Sequence, residues 1–155
     1  MQKNINTGTD QLLAHFNEGI ITLTLNNPRY KNALSENLTP YLRRILKKIN
    51  KDSKYKLLVI RGAGGSFCSG GNIKGMKKKE KSVSLNKKIN DLTKKQKDLT
   101  GILYSLEIPT IAVITGPAAG AGFSLALACD IRIGNKDSFF TSNYSKIGLS
   151  GDYGI

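Results

Sequence analysis

The sequence predicts an α/β fold with short strands and with helices between them. Two observations support this prediction. Short apolar runs rich in β-branched residues, such as KLLVIR and TIAVI, alternate along the chain with segments whose apolar residues recur at helical spacing. Two glycine-rich loops each follow a buried strand directly, at residues 62–72 and 116–122. Since α/β folds place ligands beyond the carboxyl ends of strands, we expect one domain over residues 1–155 with its ligand site at these loops.

The first half of the chain predicts the order ββαβ. Residues 11–16 and 20–25 flank the turn signal NEG and predict a β-hairpin. After the loop NNPRYKNAL, Ser35 is placed to cap a helix. The apolar residues of that helix recur at helical spacing: Leu38, Leu42, Ile45, Leu46 and Ile49. Residues 56–61 predict a short buried strand that leads into the first glycine-rich loop.

The stretch at residues 108–130, IPTIAVITGPAAGAGFSLALACD, organises the second half. It predicts a buried strand, a glycine-rich turn and an apolar helix over residues 123–129. A turn that leads into a helix leaves unpaired backbone N–H groups, which can hold a negatively charged oxygen. The alternative is a glycine-rich corner that only packs a strand against a helix. A strand at residues 131–134 and a strand and turn over residues 138–148 complete the order βαββ.

The formal net charge of +13 is spread unevenly. Residues 74–100 hold ten lysines against three acidic residues. Such a basic segment can bind nucleic acid, an anionic membrane or a phosphate-rich small ligand. However, it has no aromatic residue to stack on bases, and its lysines do not form one helical stripe. We therefore expect a solvated, mobile helix within the span 73–106, and neither a nucleic acid nor a membrane as the partner.

Several other classes of site are not expected. Cys68 and Cys129 lie in apolar surroundings without CxxC spacing, which favours free thiols in a cytoplasmic protein. A zinc site of the usual kind is not expected, because the sequence has one histidine, His15, and no cysteine cluster. The second loop lacks the Lys-Ser/Thr of a Walker loop, and Leu125 stands where a dinucleotide fingerprint needs glycine. No apolar run is long enough to span a membrane.

Four stretches together resemble the crotonase superfamily, the enoyl-CoA hydratase/isomerase proteins. They are NNPRYKNAL, LLVIRGAGGSFCSGGNIKGM, IPTIAVITGPAAGAGFSLALACDI and SFFTSNYSKIGLSGDYG. They occur in the family's order and cover most of residues 20–154. The resemblance implies a crotonase-like ββα spiral core, an acyl thioester of coenzyme A as substrate, and no separate cofactor and no metal.

The resemblance also implies an oxyanion hole for an enolate-like intermediate. In such proteins two backbone N–H groups hold the thioester oxygen. One follows the CxG segment of the first loop, which corresponds to Gly71, and the other lies in the second loop, at Ala121. Donors that are fixed before charge develops are effective stabilisers of a transition state.

The acidic residues favour an isomerase over a hydratase. Family hydratases add water with two glutamates, whose positions here hold Ser124 and Tyr144. Asp152 matches the catalytic aspartate that double-bond isomerases of this superfamily carry after a GLxx segment. A single carboxylate can move a proton between two carbons when an apolar pocket raises its pKa. We therefore predict Asp152 as the acid/base, with Ser124 and Tyr144 in the acyl pocket.

The binding site for coenzyme A is predicted from basic residues. Arg29 and Lys31 stand where family members often carry a cation near the ligand's phosphates, and Lys74 is a further candidate. Asn72 replaces the frequent aspartate of the first loop. The resemblance implies a homotrimer or hexamer for the full-length protein, built by a C-terminal helical region that this chain does not reach. We expect the 155-residue chain alone to expose apolar surface and to be poorly active.

Three alternatives to the isomerase remain open at this point. The first is a hydratase that uses Asp152 and a further acid, which would form 3-hydroxyacyl-CoA. The second is a non-catalytic acyl-CoA-binding protein, consistent with Ser124 and Tyr144 in place of the glutamates. The third is a basic nucleic-acid-binding module, which would show steep salt dependence.

Overall fold

Within residues 3–72, 84–148 and 150–154, which the computed structural model describes, eight strands form two sheets. The strands are β1 (Lys3–Ile5), β2 (Leu12–Asn17), β3 (Ile20–Leu25), β4 (Leu57–Gly62), β5 (Thr110–Ile114), β6 (Pro117–Ala119), β7 (Ile131–Gly134) and β8 (Phe139–Thr141). The main sheet has the order β1-β2-β3-β4-β5-β7, and β6 pairs with β8 in a small second sheet. β1 to β3 pair antiparallel, whereas β3, β4, β5 and β7 are parallel neighbours.

The helices connect the parallel strands, as the predicted α/β order requires. They are α1 (Thr39–Ile49), α2 (Leu85–Gln96), a π-helical turn (Lys97–Gly101), α3 (Ile102–Tyr104) and α4 (Ala121–Leu127), with 3₁₀ turns at Pro28–Tyr30 and Ser145–Ile147. α1 lies between β3 and β4, and α2 and α3 lie between β4 and β5. This arrangement confirms the predicted fold class, and the hairpin of β2 and β3 confirms the predicted turn at Asn17–Gly19.

The core lies between the main sheet and the helices that cover it. α1 contributes side chains that follow its helical period, and the strands contribute alternate residues. The largest side chains without exposed surface include Leu12, Leu23, Leu25, Leu42, Leu46, Leu58 and Ile60. Phe67 and Cys68 of the first glycine-rich loop belong to the same cluster. The core therefore packs directly against this loop.

Three local predictions were wrong. Ser35 does not cap α1, because the helix begins at Thr39 and Leu38 occupies the cap position without a side-chain bond; the Ser35 hydroxyl donates to Oε1 of Gln11 at 2.6 Å. The helix of the second loop begins at Ala121, two residues before the predicted start. The PAA segment at Pro117–Ala119 forms strand β6, where the sequence predicted only a turn, because it pairs with β8.

The basic segment is exposed where the structure describes it. α2 has no buried residue, which agrees with the predicted solvated helix. The chain joins the core only in the following turn, through Leu99 and Thr100, and then through Leu103 of α3. Residues 73–83, for which the same helical segment was predicted, lie outside the described residues. Within the described ranges, no helix has the length and apolar character needed to cross a membrane.

Apolar side chains are exposed along β7, the edge strand of the main sheet, and along β8 of the second sheet. Ile131 and Ile133 of β7 are 49% and 51% exposed, and Phe139 of β8 is 53% exposed. An edge strand also presents unpaired backbone groups. The expectation that this chain exposes apolar surface is confirmed here.

Candidate functional site

Backbone hydrogen bonds join the two glycine-rich loops. The N–H groups of Phe67 and Cys68 both donate to the carbonyl of Pro117, at 3.1 and 3.2 Å. In return, the N–H of Ala119 donates to the carbonyl of Cys68 at 2.9 Å. The first loop therefore runs beside β6 as an additional extended segment, and the bridge between Cys68 and Ala118 records the same pairing. The sequence predicted that both loops lie at the carboxyl ends of strands, and the structure brings them into contact.

Gly70 allows a close approach between the loops. Its φ angle is +93°, which side chains disfavour. A Cβ atom at this position would stand 2.8 Å from the carbonyl oxygen of Ala119 and 3.3 Å from the backbone nitrogen of Ala121. Gly71, the first predicted oxyanion donor, follows directly in the chain, so it lies beside the turn that carries the second predicted donor, Ala121.

The N–H groups of Gly71 and Ala121 are both unpaired within the part of the chain that the structure describes. For Ala121 this follows from its position as the first residue of α4, where a helix has no internal acceptor to offer. Ala121 itself is 4% exposed. Two neighbouring unpaired N–H groups at one loop contact can both donate hydrogen bonds to a single ligand oxygen.

A third loop, at residues 26–33, is fastened to the first glycine-rich loop by Asn32. Its side chain is fully buried. The amide nitrogen donates to the carbonyls of Ala63 and Ser66 at 2.9 and 2.8 Å, and the amide oxygen accepts from the N–H of Asn27 at 2.8 Å. Sequence reasoning missed this residue because a buried asparagine that satisfies three backbone groups gives no periodic signal.

The predicted coenzyme A residues are placed by the same loop. Arg29 lies in the 3₁₀ turn Pro28–Tyr30 and Lys31 follows it, and both are exposed. The N–H of Ser69 donates to the carbonyl of Lys31 at 2.9 Å, so the basic turn adjoins the first glycine-rich loop. Asn72 is exposed at the end of that loop. Lys74, the further candidate, lies outside the described residues.

Asp152 lies beside the start of α4, where Ser124 and Tyr144 contact it. The hydroxyl of Ser124 donates to the backbone carbonyl of Asp152 at 3.0 Å. The hydroxyl of Tyr144 donates to Oδ1 of Asp152 at 2.5 Å. Ser124 lies one helical turn beyond Ala121, and the ring of Tyr144 lies against Gly120, which precedes Ala121. The three residues singled out for the reaction and the second loop therefore form one cluster.

Burial controls the ionisation of this cluster. Asp152 is half-buried, and desolvation raises the pKa of its carboxyl above the ordinary value, although the hydrogen bond from Tyr144 opposes this. Burial also raises the pKa of Tyr144 to about 12, and the neighbouring Asp152 acts in the same direction. Tyr144 is therefore a neutral donor near neutral pH. The carboxyl of Asp152 can accept or release a proton at a higher pH than an exposed aspartate.

Comparison with known proteins identifies the family. Residues 15–155 match the family model described as Enoyl-CoA hydratase/isomerase. The chain belongs to the enoyl-CoA hydratase/isomerase family. Its fold is accordingly the crotonase fold, as the resemblance of the four motifs implied.

Three known proteins illustrate this membership. The chain is 32% identical over 149 residues to a 1,2-epoxyphenylacetyl-CoA isomerase of Escherichia coli K12, covering 92% of this chain and 54% of that relative. It superposes with a TM-score of 0.80 on an enoyl-CoA hydratase of Polaromonas sp. JS666, at 30% identity, covering 92% of this chain and 55% of the other. A candidate enoyl-CoA hydratase of Thermobifida fusca YX, solved in complex with acetoacetyl-CoA, gives a TM-score of 0.80 at 25% identity, over 95% and 59% of the two chains.

The chain spans about half the length of the curated relatives it matches. These relatives of the enoyl-CoA hydratase/isomerase family include both an isomerase and hydratases. Membership therefore establishes the family of enzymes without deciding between the two reactions.

The sequence did not predict the hydrogen bond between Tyr144 and Asp152. Both hydroxyls that the sequence placed in the acyl pocket, those of Ser124 and Tyr144, are directed to Asp152. The next residue, Tyr153, is held from another side, because Nη2 of Arg43 in α1 donates to its hydroxyl at 3.2 Å. The contacts of Ser124 and Arg43 join residues 28 and 110 positions apart, and the bond from Tyr144 to Asp152 joins residues eight positions apart, so no periodic pattern indicated them. A role for Ser124 and Tyr144 in substrate binding stays a prediction.

A surface pocket lies at the opposite end of the parallel strands. It is lined by residues that precede β4 and β5, including Asp52, Tyr55 and Glu107. The carboxyl ends of the same strands carry the glycine-rich loops. The loops are therefore the candidate site, because ligands of parallel sheets bind beyond the carboxyl ends of the strands.

Proposed function

We propose that this protein binds acyl-CoA thioesters and moves the double bond of an enoyl-CoA by proton transfer. The observation that carries the proposal is the position of Asp152, a half-buried carboxyl with a raised pKa, next to the turn that bears the unpaired amide of Ala121. A base near a site for a developing oxyanion is what a proton shift beside a thioester carbonyl requires. Membership of the enoyl-CoA hydratase/isomerase family supports the same chemistry.

The proposed reaction has two proton transfers. The Asp152 carboxylate takes a proton from the α or γ carbon of the acyl chain, and the electron pair of that C–H bond delocalises onto the thioester oxygen. The N–H groups of Gly71 and Ala121 hold the resulting enolate oxygen. Asp152 then returns the proton to the other carbon, which leaves the double bond shifted and the carboxylate regenerated. A single backbone donor of this kind contributes about 3 kcal/mol of transition-state stabilisation.

The substrate class follows from family relatives and from charge. A neighbour from Thermobifida fusca is bound to acetoacetyl-CoA. In this chain, Arg29 and Lys31 are exposed beside the first loop, where they can meet the phosphates of coenzyme A. Arginine binds phosphate through two parallel N–H donors. We therefore propose that these two residues bind the coenzyme A part, outside the chemical centre.

The assembly is also a proposal. The exposed apolar residues along β7 and β8 support contacts with a further part of the protein or with a second copy. We propose a homotrimer or hexamer for the full-length protein. Sedimentation equilibrium measures the mass directly, and a monomer at micromolar concentration would refute this assembly.

The test of the reaction follows hydrogen exchange in deuterated water. The longest available chain that carries this sequence is incubated with 2-enoyl-CoA and 3-enoyl-CoA, and mass spectrometry records the products and the label. The test variant is Asp152→Asn, which keeps an oxygen to accept from Tyr144 but cannot take the proton. Asp91→Asn, on the exposed face of α2, is the matched control. We expect label incorporation and double-bond migration in the wild type and the control and neither in Asp152→Asn.

Other outcomes select the alternatives. Water addition to 2-enoyl-CoA that survives Asp152→Asn would overturn the isomerase and favour a hydratase, as in the relatives of that name. Tight binding of coenzyme A without any exchange in the full-length protein would favour a binding protein. Binding of RNA or DNA that coenzyme A does not compete would refute acyl-CoA as the ligand.

A further inference from the structure

We infer that Tyr144 is a positioning residue for Asp152, whose hydroxyl fixes Oδ1 so that Oδ2 is the oxygen that exchanges the proton with substrate. This inference rests on the proposed function, since it assigns the roles of the two oxygens of the proposed base. The sequence placed Tyr144 in the acyl pocket, so the inference gives this residue a different role. It also assigns a hydroxyl to the position where family hydratases carry a glutamate.

The two carboxyl oxygens of Asp152 differ in their hydrogen bonding. The Tyr144 hydroxyl donates to Oδ1 at 2.5 Å. Within the described residues, Oδ2 has no hydrogen-bond partner. A hydrogen-bonded oxygen has part of its lone-pair capacity occupied, whereas the other oxygen keeps its basic lone pairs. Oδ2 is therefore the better proton acceptor.

The ring of Tyr144 is itself held in place. Tyr144 is 9% exposed, and it precedes the 3₁₀ turn Ser145–Ile147. Its Cε1 and Cζ atoms lie 3.8 Å from the point that a Cβ of Gly120 would occupy, so the ring packs on the turn into α4. A rigid aromatic ring of this kind places its hydroxyl with few rotatable bonds. Tyr144 therefore links the position of the carboxylate to the turn that carries Ala121.

The main-chain carbonyl of Asp152 has a shorter contact with Ser124 than with Tyr144, whose hydroxyl lies 3.4 Å from the same oxygen. The hydroxyl of Ser124 in α4 donates to the Asp152 carbonyl at 3.0 Å. With the backbone held by Ser124, loss of the Tyr144 hydroxyl would free the carboxyl group to rotate without releasing the chain. The effect of the Tyr144 hydroxyl on the Asp152 carboxyl can therefore be measured while the Ser124 contact remains.

The groups that face Asp152 from neighbouring elements define the expected pH effect. Tyr144 donates to the carboxyl and favours its ionised form, which lowers the pKa of Asp152 against the larger effect of burial. α4 contributes the uncharged Ser124. Tyr153 follows in the chain with a pKa raised by burial, and Arg43 of α1 contacts Tyr153 rather than Asp152. Removal of the Tyr144 hydroxyl leaves the effect of burial on the pKa of Asp152 unopposed, so Asp152 should ionise only at higher pH.

The experiment compares Tyr144→Phe with Tyr104→Phe. Both replacements delete one hydroxyl, but Tyr104 is 80% exposed and lies on α3, away from the cluster. The exchange reaction in deuterated water is measured as kcat and KM across the acidic range of pH. For Tyr144→Phe we expect kcat to fall roughly tenfold near neutral pH with KM little changed, in line with the loss of one hydrogen bond to a charged group. The acidic limb should move to higher pH, and the activity should partly recover there. Tyr104→Phe should match the wild type.

A second measurement does not depend on turnover. The chain is labelled with carbon-13 at the aspartate carboxyl groups, and the signal of Asp152, assigned with Asp152→Asn, is titrated by NMR. The inference requires a higher midpoint in Tyr144→Phe than in the wild type, and an unchanged midpoint in Tyr104→Phe. An unchanged Asp152 midpoint in Tyr144→Phe would overturn the inference, whatever the effect on rate.

The two hypotheses fail in different ways. If Tyr144 instead contacts substrate, Tyr144→Phe raises KM and leaves the acidic limb in place, which overturns the positioning role alone. If Asp152→Asn keeps full exchange activity, the proposed base is wrong, and the proposed function fails independently of the NMR result.

Discussion

The backbone of Gly70 lies so close to Ala119 that a methyl group on Gly70 would stand 2.8 Å from the Ala119 carbonyl oxygen. This contact helps to set the spacing between the first glycine-rich loop and the turn into α4, together with Gly122, where a methyl group would overlap the Cys68 carbonyl oxygen. Gly71 follows Gly70 directly, and the backbone nitrogen of Ala121 would stand 3.3 Å from the methyl group on Gly70, so this contact also affects the spacing between the two unpaired amides. A change at Gly70 should therefore affect the proposed oxyanion site before it affects the rest of the fold.

The first prediction concerns Gly70→Ala. The added methyl group must push the loops apart, and the φ angle of +93° adds strain. We expect kcat of the exchange reaction to fall by at least about 100-fold, as for the loss of one oxyanion donor. Gly65→Ala is the matched control, because Gly65 has a similar φ of +72° but nothing within 4 Å of the added methyl. Equal losses of activity in the two variants would show that backbone strain, and not the loop contact, is responsible.

The second prediction concerns Asn32→Ala. This change removes the fully buried side chain that pairs the N–H of Asn27 and the carbonyls of Ala63 and Ser66, of which the Ser66 bond is buried and the other two are partly buried. Each buried group left unpaired costs about 1–3 kcal/mol, so we expect a loss of roughly 3 kcal/mol or more in the free energy of unfolding.

Urea denaturation followed by circular dichroism measures this loss. Asn26→Ala is the control, because the Asn26 side chain donates a single, exposed hydrogen bond to the carbonyl of Asp10. A loss in Asn32→Ala no larger than that of Asn26→Ala would contradict the structural role of Asn32.

Local patterns in the sequence were sufficient for most elements of the fold. The helical period of Leu42, Leu46 and Ile49 predicted α1, and the NEG turn predicted the hairpin, because both signals act within a few residues. β6 was missed because its strand character comes from pairing with β8 and with Cys68, and not from β-forming residues. The cap at Ser35 failed because α1 begins only at Thr39, where the apolar Leu38 holds the cap position.

The candidate site was predictable as loops but not as contacts. Glycine spacing and the motif resemblance indicated Gly71, Ala121 and Asp152, and the structure places Asp152 beside the turn of Ala121. The bond from Tyr144 to Asp152 depends on how the chain turns between β8 and residue 152, which no residue pattern encodes.

The third prediction concerns the two cysteines, which the structure confirms as free and buried. Desolvation raises the pKa of each thiol to about 12. Near pH 8, about one thiol in ten thousand would therefore be the reactive thiolate. We expect iodoacetamide to label neither Cys68 nor Cys129 in the native protein, and to label both in denaturant.

An exposed thiol provides the control for that labelling. Ser53→Cys adds a cysteine at an exposed position of the loop before β4. This third thiol should react in the native state within minutes, whereas the natural pair does not. Rapid labelling of Cys68 without denaturant would mean that the first glycine-rich loop opens in solution, because Cys68 has no exposed surface in the closed state.

The last prediction concerns Thr110 and Asp130, which join the start of β5 to the start of β7. The N–H and the hydroxyl of Thr110 both donate to Oδ2 of Asp130, at 2.8 and 2.7 Å, and the Thr110 hydroxyl accepts from the Asp130 N–H at 2.9 Å. The hydrogen bonds from Thr110 lower the pKa of the Asp130 carboxyl. A lowered pKa in the folded state means that ionised Asp130 stabilises the fold above its unfolded pKa. This contribution is lost as the pH falls through the folded pKa.

We therefore expect Asp130→Asn to lower the free energy of unfolding near neutral pH by about 1 kcal/mol, a modest value because Asp130 is exposed and solvent screens its charge. The difference from the wild type should shrink at low pH, as the pH falls below the ordinary pKa of aspartate and through the lowered pKa of Asp130, because both chains then carry a neutral side chain at this position. Asp137→Asn, in the exposed turn between β7 and β8, should show no difference at either pH. Urea denaturation at both pH values measures the effect, and a deficit in Asp130→Asn that stays constant with pH would show that the charge of Asp130 does not stabilise the fold.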